Sequence, residues 1–448
     1  MWWVAFAFTL GLMALFQWLT RAGPLEARAT LALGFLILAA HVGGELGKRW
    51  RLPRITAFVL TGLVVGPAWL GLVRGDEVRS LGFLGAAAAA LIAFTAGSRL
   101  SLEIVRRDRR MLARLSVGTI LVPLGLVTLV TLSVSPWFPL TVHQPFGDAV
   151  AVALVLGTIA ATSSPALTVA LMDELDARGA VARTVLGVTV AKDVLVVALF
   201  ALVLALARPL ASGGALDLRV AGTALLRALS SVAVGAALGV TVSRYLRLLR
   251  SETPLVPIAF AFVTAQVAVQ LGLETMLIAL TAGFYVANFA PAEGKRLAAQ
   301  VERGALLVYV AFFALVGAAL PLDADTLREL WPWVVLLGAL RALGLRLGTR
   351  FAGRSAVVPA DVASHGWLGL IGQGGVAFGL AAAARRAFPE WGVSLEALVV
   401  VMIGVHQIAG PITFRQALRL TGEVTEGEHV TEKSDSGRPA LLPGGSSL

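Results

Sequence analysis

Long apolar segments follow one another almost without interruption from Met1 to about Leu420. A helix needs about 20 mainly apolar residues to cross the hydrocarbon core, because lipid offers no partner for an unpaired backbone group. Only 14% of the 448 residues are charged, against about 25% in soluble domains. The sequence therefore predicts one polytopic membrane domain over residues 1–420 and excludes a soluble globular fold.

Fourteen segments are predicted to be membrane helices. They extend approximately over residues 1–20, 29–46, 54–73, 80–97, 112–134, 147–172, 181–206, 222–247, 254–271, 274–290, 304–322, 331–351, 364–386 and 394–418. Residues 421–448 are polar and rich in Gly, Ser, Glu and Pro. Such a composition does not offset the entropy of ordering, so we expect a disordered cytoplasmic tail there.

Basic residues concentrate in every second loop. The loops after even-numbered segments hold 21 Lys and Arg, whereas the loops after odd-numbered segments hold nine. Because basic residues remain on the cytoplasmic side, both termini are predicted to be cytoplasmic. The net charge of +10 is thus interpreted as a topology signal, and no nucleic-acid partner is expected.

The residue types needed for several kinds of chemistry are missing from the sequence. There is no Cys, which excludes disulfides, thiolate metal sites and thiol catalysis. We find no zinc-ligand cluster, nucleophile–base set or nucleotide-binding loop. The sequence therefore favours neither an enzyme nor a resident cofactor.

Two short patterns recur at a nearly constant offset of 219 to 221 residues. Leu60–Gly62 recurs as Leu280–Gly283, and Phe94–Gly97 recurs as Phe313–Gly317. Seven predicted crossings separate the copies, and an odd number inverts the second copy in the membrane. Inverted repeats are typical of secondary transporters, whose substrate sites form between the copies near the midplane. Chance similarity between Gly- and Leu-rich helices is the alternative interpretation.

The repeats, predicted over about residues 54–206 and 274–418, each contain a candidate interruption in their fourth helix. Proline removes a backbone donor and hydroxyls can satisfy freed carbonyls, while glycines weaken a helix. The residues are Thr162, Ser163, Ser164 and Pro165 in the first copy and Gly372, Gln373, Gly374 and Gly375 in the second. Broken helices at matched positions are therefore predicted.

Two charged residues are predicted near the membrane midplane, Asp193 and Arg341. A charge there costs about 2.5–3.5 kcal/mol on insertion scales, so such residues usually line an ion pathway. Asp193 can bind a monovalent cation or a proton, but not both together, and this competition is the minimum needed for antiport. Arg341 would balance the carboxylate charge, or keep an empty site neutral when the cation leaves. The alternative is a buried ion pair that only fixes helix packing.

Two further polar residues lie in predicted membrane helices. Lys192 is about 100° around the helix from Asp193, and either a functional or a packing role is open to it. His406 is near the centre of the helix that corresponds to the Asp193 helix in the second repeat. It is a candidate proton relay, with a structurally satisfied buried histidine as the alternative.

Several of these features together resemble the cation:proton antiporter superfamily, in particular its second branch of bacterial sodium/proton and potassium/proton exchangers. The resemblance covers about residues 30–420. The matching residues are Leu52–Pro53 through Gly66–Pro67, Thr162–Pro165, Asp193, Phe312–Gly317, Arg341 and Gly410–Pro411. Two positions depart from the family pattern: Lys192 precedes Asp193 where Asp or Asn is usual, and Ser163 stands where some relatives have Asp.

The resemblance implies an all-α membrane protein with two crossed, broken helices, in which a moving bundle works against a dimerisation scaffold. It implies a homodimer in a bacterial inner membrane that exchanges Na+ or K+ for protons. Asp193 would be the ion and proton site, with Ser163 and Thr162 beside it and with Lys192 and Arg341 as charge partners. A transporter of an anionic solute is the alternative, because two bases can attract an anion; a membrane protein without transport activity is the other.

Overall fold

The computed structural model describes residues 2–20, 23–50, 52–212, 218–249, 255–321 and 324–424, and helices are the regular structure throughout these ranges. In chain order the helices are α1 (Trp2–Leu19), α2 (Leu25–Arg49), α3 (Arg54–Val65), α4 (Gly75–Ser80), α5 (Gly82–Ser98), α6 (Leu102–Arg107), α7 (Arg109–Ser133), α8 (Phe146–Ala160), α9 (Pro165–Glu174), α10 (Ala180–Ser212), α11 (Leu218–Leu249), α12 (Leu255–Leu271), α13 (Thr275–Phe289), α14 (Pro291–Ala318), α15 (Ala324–Gly353), α16 (Ala360–Gly369), α17 (Gly375–Ala387) and α18 (Gly392–Leu420).

The apolar composition of these helices agrees with a multi-pass membrane protein. Within the described ranges, eight helices are long and apolar enough to cross a membrane, or nine if the bent α14 is counted. Helices α3, α5, α12 and α13 are apolar but shorter. Each of the fourteen predicted segments contains a helix or a pair of helices, while the number of crossings stays a prediction.

Some predicted boundaries were wrong. Helix α3 ends at Val65 and not near residue 73, because Gly66 is followed by a proline, which disfavours helical conformation in the residue before it. Helix α14 begins at Pro291, well before the predicted residue 304, since proline is favourable in the first turn of a helix.

The beginning of the predicted tail is ordered. Gly422 has a φ of +70° and ends α18 in a left-handed conformation that glycine adopts without strain. The carboxylate of Glu423 then accepts the backbone N–H groups of Val181 and Ala182 at 2.6 and 3.1 Å, so it caps the start of α10. Residues 425–448, the rest of that prediction, lie outside the described residues.

Four helices, α3, α5, α13 and α14, form what we call the panel. They pack as two pairs, α3 with α14 and α5 with α13, through glycines at which an added Cβ would overlap the facing backbone. The contacts join Gly62 to Ala314, Gly317 to Val59, Gly97 to Leu280 and Gly283 to Phe94. Small residues allow such close backbone approach in membrane helices. These glycines are the ones that end the two recurring patterns. In each helix pair, the glycine of one helix faces the backbone of the other, and the reverse also holds.

Helices α7 to α10 and α15 to α18 form what we call the bundle. Helix α7 packs on α15, α10 packs on α8, and α18 packs on α16 and α17. The two interrupted helices are α8 with α9 and α16 with α17, and they pack against the continuous helices α7, α10, α15 and α18. The bundle therefore brings both interruptions and the middle of α10 to one place.

Candidate ion-binding site

The first interruption separates α8 from α9. Helix α8 ends at Ala160, and α9 begins at Pro165, whose missing N–H is no loss in a first helical turn. The Ser164 hydroxyl accepts the N–H of Leu167 at 3.2 Å, which satisfies one of the donors exposed at the new helix start. The hydroxyl residues and the proline thus terminate one helix and start the next locally.

The second interruption, Leu370–Gly374, separates α16 from α17 and has no side-chain cap. Its glycines permit contact with the first interruption. A Cβ on Gly374 would lie 2.6 Å from Ser164 Oγ, and a Cβ on Gly372 would lie 3.1 Å from Leu167. Because larger residues would separate the two segments, the glycines allow the interruptions to cross.

Arg341 of α15 is fully buried at this crossing. Its guanidinium donates to the carbonyl oxygens of Ala160 and Thr162 at 3.0 and 2.8 Å and to those of Leu370 and Ile371 at 2.9 and 2.6 Å. The last carbonyls of a helix have no partner within it and carry the negative end of the helix dipole. One side chain therefore compensates the carboxyl ends of both α8 and α16.

The predicted role of Arg341, to balance the charge of Asp193 or to keep an empty site neutral, stays a prediction. Among the described residues, no ion pair joins the two side chains. The physical reason is that the carbonyls freed by the two interruptions surround the guanidinium and use its donors. Sequence reasoning located the buried arginine, but its partners are main-chain atoms of distant segments.

Gln373 connects the two interruptions through its side chain. Its Nε2 donates to Ile159 O at 3.0 Å and to Thr162 Oγ1 at 2.9 Å. Its Oε1 lies 2.7 Å from His406 Nδ1. Because a carbonyl only accepts, Nε2 must face Ile159, and His406 Nδ1 must then carry a proton. Gln373 therefore favours the neutral tautomer of His406 that is protonated at Nδ1. In that tautomer Nε2 is the hydrogen-bond acceptor of the imidazole ring.

Sequence reasoning did not single out Gln407, which also supports this crossing. Its Nε2 donates to the backbone oxygen of Gln373 at 2.6 Å, so α18 holds the second interruption by a side chain that is 2% exposed. A polar residue directly after His406 in an apolar helix was the signal available.

Lys192 reaches the first interruption from α10. It is fully buried, and its Nζ lies 3.1 Å from Ser163 Oγ. The Ser163 hydroxyl donates to Leu370 O at 3.0 Å and therefore accepts from the lysine. Thr162 is likewise occupied, because its hydroxyl donates to Ile159 O at 2.8 Å. Both predicted hydroxyl ligands are thus engaged within the protein.

Asp193 stands apart from this network. Its side chain is 7% exposed, and Oδ1 is buried without a hydrogen-bond partner. Charged groups in such surroundings are normally paired or solvated, since an unpaired buried charge is costly. The structure therefore leaves one carboxylate oxygen of α10 without a hydrogen-bond partner, next in sequence to the lysine that contacts Ser163.

A cavity of about 490 Å³ lies between the ends of α5 and α9 and the starts of α7 and α10. Thr184 and Gly187 line it from α10. Gly187 precedes Asp193 by six residues, or about 9 Å of helix rise. Four charged residues also line the cavity: Arg99, Arg107, Asp108 and Arg183.

Two carboxylates at the end of α9 connect the bundle to the panel, and sequence reasoning did not identify them. Asp173 forms an ion pair with Arg99 of α5 and accepts the Tyr309 hydroxyl of α14 at 2.5 Å. Glu174 accepts the backbone N–H of Arg54 at 2.5 Å, at the start of α3. Adjacent acids at the end of a broken helix were the only signal. These contacts hold the two parts together at the predicted cytoplasmic side.

Residues 35–418 match the family described as sodium/hydrogen exchanger, transmembrane. The chain is 26% identical over 369 residues to the Na(+)/H(+)-K(+) antiporter GerN of Bacillus cereus, covering 78% of this chain and 88% of that protein. It is 27% identical to a protein named "Probable Na(+)/H(+) antiporter GerT", also of Bacillus cereus, over 38% of this chain, and spans only 42% of that relative.

The fold is similar to solved structures of the sodium proton antiporter MjNhaP1 from Methanocaldococcus jannaschii. One of them matches with a TM-score of 0.67 at 16% sequence identity, covering 88% of this chain and 98% of that one. At such low identity the likeness shows the fold alone. The all-helical, sodium/proton antiporter-like fold expected from the sequence is thereby confirmed.

Proposed function

Because this chain belongs to the sodium/hydrogen exchanger family, we propose that it exchanges a monovalent cation, Na+ or K+, for protons by alternating access, with Asp193 as the shared site. The observation that supports this most directly is the unpartnered, buried Oδ1 of Asp193 beside the crossed interruptions. The assignment of a bacterial inner membrane and of cytoplasmic termini rests on the distribution of basic residues and on the bacterial relatives.

The chemistry follows from the surroundings of Asp193. A bare carboxylate at this depth is unfavourable, so it must hold either a proton or a cation whenever the bundle moves. Its oxygens are hard ligands suited to alkali cations. Occupation by one ion excludes the other, which couples uptake of the cation to release of the proton.

The other charged groups at the crossing have different tasks. Arg341 keeps the carboxyl ends of α8 and α16 compensated through the whole cycle, because breaking its four hydrogen bonds would remove a charged donor from both ends inside the membrane. Lys192 adds a positive charge next to Asp193 and so opposes cation binding. We propose that Lys192 weakens cation affinity, and thereby lets the cation leave into the cell or out of it.

Alternating access requires the bundle to move against the panel. The contacts of Asp173 and Glu174 with α5, α14 and α3 join these two parts directly. We propose that these contacts break and re-form once in each cycle, and that the panel side of a second copy completes a homodimer.

The decisive test uses proteoliposomes that contain the purified protein and a pH-sensitive dye, with Na+, K+, Li+ or choline chloride added outside. We expect cation-evoked proton release from the wild type and none from Asp193→Asn. Asp361→Asn is the matched control, because it removes one exposed carboxylate from the first turn of α16. Cation-evoked proton release that survives in Asp193→Asn would refute the assignment.

One observation favours the alternative of anionic-solute transport. The cavity beside the start of α10 has three arginines and one aspartate among its described lining residues, a charge balance that attracts anions. Sodium salts of several anions, tested in the same liposomes, separate the two functions. A response that follows the anion and ignores the cation would establish the alternative.

A further inference from the structure

A second cavity lies on the outer surface of the bundle, away from Asp193. It has a volume of about 570 Å³ and runs between α7 and the end of α15. Gly118 forms part of its floor, and Val117 and Phe351 form apolar walls that are 52% and 65% exposed. Exposed apolar residues on a membrane-embedded helix face lipid chains.

Two arginines and a serine line one end of this groove, Arg114, Arg354 and Ser355. Both arginines are exposed, and neither forms an ion pair with an acidic residue within the described part of the chain. No acidic residue is found among the described residues that line the groove. The Arg354 guanidinium lies 5.8 Å from the Phe351 ring centroid, a cation–π distance that holds it beside the apolar wall.

We propose that this groove binds one anionic phospholipid, with the phosphate between Arg114 and Arg354 and an acyl chain along Val117 and Phe351. Guanidinium groups bind phosphate through paired, charge-assisted hydrogen bonds. Basic pockets between membrane helices on the cytoplasmic side are a known form of headgroup site. Both helix ends lie on the predicted cytoplasmic side, and at each end the arginine is three residues nearer to that side in the sequence than the apolar residue of the wall.

The groove has a charged part, with Arg114 and Arg354, and an apolar part, with Val117 and Phe351. This division favours a lipid as the occupant. A free phosphate would use the two arginines but leave the exposed apolar walls without a partner. A zwitterionic phospholipid also offers a phosphate, but it would bring an ammonium group next to two guanidinium groups, with no acidic residue among the described groove lining. An anionic phospholipid satisfies both parts at once.

The test titrates delipidated, full-length protein in detergent with phosphatidylglycerol or with phosphatidylcholine of the same chains, and counts bound lipids by native mass spectrometry. We expect Arg114→Gln/Arg354→Gln to weaken phosphatidylglycerol binding about tenfold or more, given the usual contribution of each basic residue near an anionic headgroup. Val117→Trp should also weaken it, because the indole would occupy the groove while both charges remain.

The matched control is Arg110→Gln/Arg350→Gln, which removes the same charge from exposed positions of the same two helices outside the groove lining. We expect it to keep binding within about twofold of wild type. Equal loss in this control would show nonspecific attraction and overturn the proposal, as would unchanged binding in Arg114→Gln/Arg354→Gln.

Two further measurements keep the result decisive. Glycerol 3-phosphate should bind far more weakly than the lipid; equal binding would mean a free-anion site and overturn the lipid assignment. If the double glutamine variant fails to fold, Arg114→Lys/Arg354→Lys replaces it. The proposal then requires that phosphatidylglycerol still be preferred over phosphatidylcholine in the lysine variant and that Val117→Trp weaken that binding.

Discussion

The two interruptions occupy matched positions in the chain but are stabilised in different ways. The first has its own cap, in which Ser164 receives the N–H of Leu167 after a proline-initiated helix start. The second consists mostly of glycines and depends on other helices, since Gln407 of α18 binds the backbone oxygen of Gln373. The carbonyls freed at the first interruption depend on distant residues, but the helix start that follows it is capped locally, whereas the second interruption has no side-chain cap of its own.

Arg341 is shared equally by the two interruptions, with two carbonyls from each. The difference between them therefore lies in what surrounds this arginine. The comparison can be tested with variants that remove, in turn, the arginine shared by both interruptions, the side chains that bridge to them and the local cap of the first.

Arg341→Met should have the largest effect, because it removes the guanidinium donor from four buried carbonyls at both interruptions. Of these, Leu370 O keeps a side-chain donor, the Ser163 hydroxyl. We expect a loss of about 3–5 kcal/mol in the free energy of unfolding, or failure to fold. Thermal unfolding in detergent measures it, with Arg350→Met on the same helix as an exposed control. Wild-type stability in Arg341→Met would mean that the interruptions do not need the arginine.

Gln373→Leu should come next, because it removes the donor to Ile159 and Thr162 and the acceptor of His406. We expect a loss of about 2 kcal/mol in the free energy of unfolding. Nitrogen NMR of labelled histidine should also show His406 losing its preference for a protonated Nδ1. An unchanged tautomer in this variant would contradict the role of the glutamine.

Lys192→Met tests the connection between α10 and the interruptions. Removing the positive charge beside Asp193 should lower the apparent KM for the cation about tenfold. The reason is that the lysine ammonium and the bound cation repel each other in a medium of low dielectric constant. Lys192→Arg keeps the charge and should stay near the wild-type value. Proteoliposome transport at a series of cation concentrations gives both numbers, and a raised KM in Lys192→Met would contradict the proposed repulsion.

Ser164→Ala should have the smallest effect, because only the local cap of α9 is lost. We expect about 1 kcal/mol of destabilisation, measured by thermal unfolding. Ser133→Ala, which removes an exposed hydroxyl bonded to Leu129 O, is the control. A loss as large as that of Gln373→Leu would show that Ser164 supports the crossing itself and would remove the distinction between the two interruptions.

The helical character of the chain and the positions of both interruptions could be predicted, because the signals are local. Apolar segments of sufficient length form helices in lipid, and the proline at 165 and the glycines at 372, 374 and 375 weaken a helix where they stand. The end of α3 was misjudged although Gly66 and Pro67 are a local signal of the same kind. The apolar segment continues past these two residues, so its hydropathy gave no sign that the helix ends there.

The partners of the buried polar residues could not be predicted in the same way. Arg341 binds a carbonyl 181 residues away, and Gln373 binds one 214 residues away. Ser163 was expected beside the ion, yet its hydroxyl lies between Lys192 and Leu370 O. The spacing of residues in the sequence does not predict these hydrogen-bond partners, because they come together only when the two interrupted helices cross.

The amino-acid sequence by itself determined that this protein is a set of membrane helices, where two of them break, and which few charges remain inside. Those properties follow from the transfer of side chains and backbone from water to lipid, residue by residue. The tertiary structure alone decided which charge is compensated and which carboxylate is left unpaired. Hydrogen bonds require contact at about 3 Å, and only the crossing of segments far apart in the chain brings donor and acceptor that close.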